Sequence, residues 1–108
     1  MIDGAADGPQ PTQPSEIDRL IHEPARLLIV ANLAVVDEAD FVYLSRRTGL
    51  TAGNISSHMS RLEAAGYVDI SKSFAGKRPR TAYALTDDGR AAFGRYRAQM
   101  DGLIRTER

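Results

Sequence analysis

Lys72, Lys77, Arg78 and Arg80 fall within nine residues, around a Gly76 that permits a tight turn and a Pro79 that stiffens it. Cations held this close, at little ordering cost, suit a row of phosphates or a minor groove. Just upstream, Asn54, Ser56, Ser57, Ser60 and Arg61 form a run of small polar side chains with Thr51 ahead of them. On a helix at about 100° per residue, Ile55, Met59 and Leu62 share one stripe. Gly53, Ser57, Ser60 and Ala64 then lie opposite, flanked by Asn54, Ser56 and Arg61. Such a face lets a helix approach base edges closely: Asn pairs with adenine, Arg with guanine or phosphate, and Ser with either.

Other chemistry finds little support. His22 and His58 are the only histidines and lie far apart, and the chain has no cysteine. Thiolate catalysis, disulfides and cysteine-based metal sites are therefore excluded, and no metal or cofactor is expected. His58 falls about 60° from the buried stripe of its helix, which suits a packing or hydrogen-bonding role. Ser56 and Ser57 have no orienting third group or oxyanion-hole signature, so no catalytic residue is assigned. Asp87-Asp88 reads as the acidic first turn of a helix rather than a carboxylate pair. Gly4 and Gly8 form no phosphate-cradling motif.

The elements that must position the two polar sets are legible in outline. At 108 residues the chain is long enough for one small core. Residues 1–14 hold three prolines, two glycines and few large apolar groups, and are expected to form a disordered tail ahead of a domain over 15–108. Ser15 is placed as the cap of a short helix bearing Ile17, Leu20 and Ile21, which Pro24 ends. A second, largely buried helix runs from Ala25 to about Val36. Asp40 caps a helix over Phe41 to Arg47, Gly49 ends it, and Leu50 plugs the turn. Thr51 caps a longer helix from Ala52 to Ala65, which Gly66 terminates. These two make a helix-turn-helix. After Gly66 the period becomes two: Val68 and Ile70 on one strand, Thr81, Tyr83 and Leu85 on the next, joined by a Gly/Pro loop. Thr86 then caps a last helix over 87–104. The fold class is α+β, mainly α: a winged helix-turn-helix with a two-stranded hairpin and a C-terminal helix.

That last helix carries Phe93, Tyr96, Met100, Leu103 and Ile104 at helical spacing. In so short a chain the stripe is expected to make a homodimer by packing on Ile17, Leu20 and Ile21 of a second copy. The formal net charge is zero but segregated, −5 over residues 1–38, +4 over 39–86 and +1 beyond. The basic block coincides with the helix-turn-helix and hairpin, where a local field can bind phosphate. The apolar run from Leu27 to Val36 is too short to span a bilayer. No secretory leader is visible, and a cytoplasmic location is expected.

Taken as a set, His22-Glu23-Pro24-Ala25-Arg26-Leu27, the helix from Leu50 to Glu63, Gly66-Tyr67-Val68, Gly76-Lys77-Arg78-Pro79-Arg80-Thr81 and Leu85-Thr86-Asp87-Asp88-Gly89-Arg90 resemble small winged-helix transcriptional regulators of bacteria and archaea, related to the MarR and ArsR groups. The resemblance covers about residues 16 to 100. It implies a homodimer that binds pseudo-palindromic double-stranded operator DNA, with the recognition helix in the major groove and the wing at the adjacent minor groove or backbone. By that likeness Asn54, Ser56, Ser57, Ser60 and Arg61 are base-reading or backbone contacts, and Lys77, Arg78 and Arg80 are wing contacts. The chain is shorter than MarR proteins that sense aromatic molecules and lacks the cysteines of ArsR metal sensors, so no small-molecule effector is indicated. The alternative is a winged-helix protein-interaction module without specific DNA binding.

Overall fold

A computed structural model describes residues 13–105. The expected tail over 1–14 therefore lies outside the described residues except at Gln13 and Pro14. After a 3-10 turn at Pro14–Glu16, the chain forms α1 (Pro24–Leu33), β1 (Ala39–Asp40), α2 (Phe41–Thr48), α3 (Ala52–Ala64), β2 (Val68–Ala75), β3 (Arg78–Leu85) and α4 (Asp87–Ile104). The strands make one antiparallel sheet in the order β1-β3-β2.

Most elements start and stop where local chemistry demands. The Asp40 carboxylate accepts the backbone N–H of Tyr43 at 2.8 Å, Thr51 Oγ1 that of Asn54 at 3.2 Å, and Thr86 Oγ1 that of Gly89 at 2.9 Å. Each supplies a partner for an N–H that an α-helix leaves free in its first turn. Glu23 caps α1 likewise by accepting from Arg26 N at 2.8 Å, and that bond holds its carboxyl below the usual range. Gly49 ends α2 at φ 73°, in the left-handed region where a side chain would be strained.

The core forms where these elements meet: Ile29, Val30 and Leu33 of α1, Leu44 of α2, Ile55, Met59 and Leu62 of α3, and Val68, Tyr83 and Leu85 of the sheet. A second cluster joins Ile21, Ala92 and Tyr96, with Ile17, Leu27, Tyr67, Phe93 and Met100 packed around it.

Three expectations need correction, and the expected hairpin gains an addition. The helix placed from Ser15 is a short 3-10 turn instead, because Asp18 Oδ1 accepts the N–H groups of Leu20 and Ile21 at 3.0 and 3.2 Å. Those local bonds compete with a helical ladder. The second helix ends at Leu33, not near Val36; the carbonyls of Ala34 and Val36 turn outward to the Arg90 guanidinium at 3.1 and 3.0 Å. The sheet gains a third strand, since Ala39 and Asp40 pair with Tyr83 and Ala82 on the free edge of β3. Finally, the loop at the hairpin tip is only Gly76-Lys77, and Arg78 to Arg80 belong to β3.

Candidate nucleic-acid interface

Helix α3 presents two sharply different sides. Ile55, Met59 and Leu62 are each 0% exposed, whereas Thr51, Asn54, Ser56, Ser57, Ser60 and Arg61 are all exposed or nearly so. Three buried apolar side chains thus fix the rotation of the helix and aim the small polar face outward. A further tie comes from α1. Arg26 donates to His58 Nδ1 at 3.1 Å and also bonds the Leu20 carbonyl. Guanidinium only donates, so His58 must accept through Nδ1 and carry its proton on Nε2. The packing and hydrogen-bonding role expected for His58 is what the geometry gives.

The turn between α2 and α3 is held by hydroxyls. Thr48 Oγ1 donates to the Leu44 carbonyl at 2.7 Å and accepts Leu50 N at 3.2 Å, while Ser45 Oγ donates to the Leu50 carbonyl at 3.3 Å. Leu50 packs on the core as a plug. Rigid seating of this turn sets the angle at which α3 leaves the body. Arg46 and Arg47, exposed on the last turn of α2 beside it, lie outside the set read from sequence, although two adjacent arginines before Gly49 are a visible signal. The Arg47 guanidinium lies 5.1 Å from the Tyr43 ring centroid.

The wing sorts its cations by face. Gly76 adopts φ 67° and Lys77 has a negative φ, the signature of a type II′ two-residue hairpin turn. Register pairs Ala75 with Arg78, Phe74 with Pro79, Ser73 with Arg80 and Lys72 with Thr81. Side chains alternate across a strand, so Lys72, Thr81, Phe74 and Pro79 share the face that carries Tyr83 and Ile70, and Arg78 and Arg80 lie on the other. Pro79 costs the ladder nothing. The pair beside the turn is hydrogen-bonded, so the next pair points its amide positions outward, and β1 does not reach that far.

Between α3 and the wing runs an open groove of about 530 Å³, lined by Ser56, Ser60, Glu63, Lys72, Thr81 and Tyr83. The groove brings Ser56 and Ser60 of the helix together with Lys72 of the wing. Lys77 and Arg78 stand farther out at the tip, and Arg80 pairs with Glu38 at 3.7 Å across the sheet. With both partners well exposed this pair is weak. Among the described residues, Lys72, Lys77 and Arg78 have no ion-pair partner. Their field is therefore free to act on an external anion.

The residues expected at a dimer surface are divided. Ile21 is 0% and Tyr96 4% exposed, both consumed by the protomer's own second cluster. Tyr96 Oη meets His22 Nδ1 at 2.8 Å, and burial raises the phenol's pKa. Ile17, Leu20, Phe93 and Met100 are half-buried on the same protomer, which leaves Leu103 at 46% and Ile104 at 70% exposure. An open groove of about 660 Å³ along α4, lined by Leu27, Phe93, Tyr96, Met100 and Ile104 among others, continues this surface. Among the described residues no cluster of His, Asp or Glu has a metal-binding arrangement, and no helix is long and apolar enough to cross a membrane.

Comparison with known proteins agrees with this geometry. Residues 25–104 match the family model described as a winged helix DNA-binding domain. An uncharacterised protein of Methanocaldococcus jannaschii is 33% identical over 78 residues, spanning 72% of this chain and 85% of the relative. The structure of a transcriptional regulator homologue from Pyrococcus horikoshii superposes with a TM-score of 0.76 at 32% identity, covering 81% of this chain and 86% of that one. The structure of reduced AbfR bound to DNA has the same fold, with a TM-score of 0.66 at 18% identity, over 75% of this chain and 58% of that one. With an exposed polar face on α3, a basic wing whose Lys72, Lys77 and Arg78 have no ion-pair partner among the described residues, and these likenesses, the chain belongs to the winged helix DNA-binding domain family, among the small winged-helix regulators.

Proposed function

We propose that this protein is a homodimeric transcriptional regulator that binds a specific double-stranded DNA operator and represses by occupying a promoter-proximal site in the cytoplasm. The observation that carries the reading is that the small polar face of α3 and the unpaired wing cation Lys72 border one groove, with Lys77 and Arg78 beyond it. A duplex laid on α3 would run its phosphate backbone along that groove. Lys72, Lys77, Arg78 and Arg80, joined by Arg46 and Arg47, would seat it electrostatically; Asn54, Ser57, Ser60 and Arg61 would then read base edges. Support also comes from AbfR, whose structure of the same fold is of a DNA-bound form, and from the P. horikoshii protein, a transcriptional regulator homologue. Exposed Leu103 and Ile104, continuous with the α4 groove, supply an apolar surface for a second copy.

The test is fluorescence anisotropy on duplexes that the protein selects from a random pool, repeated across salt concentration. Arg78→Ala with Arg80→Ala should weaken binding to every sequence and lower the log–log salt slope by roughly one for each phosphate no longer neutralised. Asn54→Ala or Arg61→Ala should instead cost about 1–3 kcal/mol at particular base pairs. A wild-type protein that selects no sequence, or binds no duplex at near-physiological salt, would refute the proposal and favour a protein-interaction module.

A further inference from the structure

Phe74 is the largest side chain left in water on the wing, 72% exposed, and it faces Pro79 across the hairpin. Theirs is a non-hydrogen-bonded pair, the closer of the two kinds of cross-strand neighbour, so ring and pyrrolidine form one apolar ridge. The ridge begins one residue from the turn on either strand, within about 7 Å of its apex by the rise of a strand.

Its direction is set by register. Phe74 and Pro79 lie on the face that also carries Lys72, Thr81, Ile70 and Tyr83, and lower down that face lines the groove with Ser56 and Ser60 of α3. The aromatic ring is thus on the recognition-helix side of the wing, while Arg78 and Arg80 occupy the opposite side. Core packing has no use for it there, because the buried part of this face ends at Tyr83.

Charge selects the occupant. Lys72 lies two residues away on the same face, Lys77 is in the turn and Arg78 is beside Pro79, none of them ion-paired among the described residues. A second copy of the wing would bring like charges together around the ring. A polyanion would not. We propose that the Phe74–Pro79 ridge is an apolar wedge that enters the minor groove of the bound duplex beside the recognition-helix site, packing on deoxyribose and partly opening a base step. This rests on the DNA-binding reading and adds to it a specificity element that makes no hydrogen bond. Apolar wedges of this kind lever steps apart, and pyrimidine–purine steps yield most readily. The wing would then favour TA or CA/TG at a fixed distance from the bases read by α3.

The experiment compares wild type, Phe74→Ala, Phe74→Leu and Arg78→Ala on duplexes selected by the wild-type protein, with 2-aminopurine at the step under the wing. Phe74→Ala should bind roughly ten- to a hundredfold more weakly with an unchanged salt slope, since the substitution removes an aromatic ring and leaves every charge in place. Arg78→Ala should lower the slope. Wild type should brighten 2-aminopurine by unstacking it, Phe74→Leu should do so less and Phe74→Ala not at all. A fresh selection with Phe74→Ala should lose the flexible step but keep the bases read by α3. Equal affinity and equal fluorescence for wild type and Phe74→Ala would overturn the wedge and leave DNA binding intact. So would a change of oligomeric state in sedimentation, which would assign the ring to self-association. Failure of the wild type to bind any duplex would overturn both readings. With Phe74 this exposed, circular dichroism of the variants should match wild type.

Discussion

Gly89→Ala should unfold this protein more easily, although alanine is the better helix former. A methyl group built at Gly89, in the first turn of α4, would lie 2.1 Å from the Tyr67 carbonyl oxygen and 2.9 Å from its carbon. Ordinary contact begins near 3.4 Å, so two backbones must part by more than an ångström, and neither is a flexible side-chain end. The separation would strain two bonds that dock α4 on the end of α3: Thr86 N to the Tyr67 carbonyl at 3.0 Å and Thr86 Oγ1 to the Gly66 carbonyl at 2.6 Å. Overpacking costs about 1–3 kcal/mol and a weakened bond about 1 more, against about 0.5–1 gained in helix propensity. The net loss is about 2 kcal/mol, which lowers Tm by about 8–16 °C in a domain of this size. The comparison is Gly53→Ala on the exposed first turn of α3, where the added methyl meets nothing within 4 Å. That variant should hold or gain up to about 1 kcal/mol. Thermal melts followed by circular dichroism without DNA read both. If Gly89→Ala melts at or above wild type, the close approach of α4 to Tyr67 is wrong. The same variant should also weaken DNA binding at temperatures where it is folded, because Tyr67 leads directly from the turn that ends α3.

Two further outcomes follow from the second cluster and its surroundings. Tyr67 Oη donates to Asp18 Oδ2 at 2.7 Å, and that bond, reinforced by burial, raises the Tyr67 pKa. A raised folded value means the protonated phenol stabilises the fold. Tyr67→Phe should therefore cost about 1 kcal/mol at neutral pH, after discounting for partial exposure. Its deficit should vanish as pH rises past the ordinary tyrosine value and through the higher folded one. Denaturant titrations at a series of alkaline pH values check this; a deficit that grows with pH would contradict the assigned bond. Leu103→Asp with Ile104→Asp should leave the melt nearly unchanged, because both are already exposed, yet shift sedimentation from dimer to monomer and reduce operator affinity at least tenfold. An unchanged dimer would move the interface off the end of α4.

The sequence exposes features that act over one helical turn and conceals those that act across the fold. Asp40, Thr51, Thr86 and Gly49 are legible because each cap is a contact between neighbours in the chain, and the polar face of α3 because helical period alone defines it. β1 is not, since Ala39-Asp40 carries no period and is a strand only through the edge that β3 offers. Asp18 spoils a helix by bonding two nearby N–H groups, and Gly89 matters only through Tyr67, which no local pattern connects to it. Apolar stripes pose a deeper problem, because the period that marks a buried face does not say what buries it. Ile21 and Tyr96 are covered by their own protomer, whereas Leu103 and Ile104, on the same expected stripe, remain in water. On β2 the sequence Val68, Ile70, Lys72, Phe74 continues a single face outward, and the core claims only its first two side chains fully or in part. Where a periodic apolar face outruns the core, the surplus has no intramolecular reason to be apolar. At the end of α4 the charges beside it, Asp101 and Arg105, neutralise each other at 2.9 Å, which leaves the surplus suited to another copy of the chain. On the wing it has Lys72 on its own face and Lys77 in the turn, neither ion-paired among the described residues, which turns the same kind of surplus toward a polyanion.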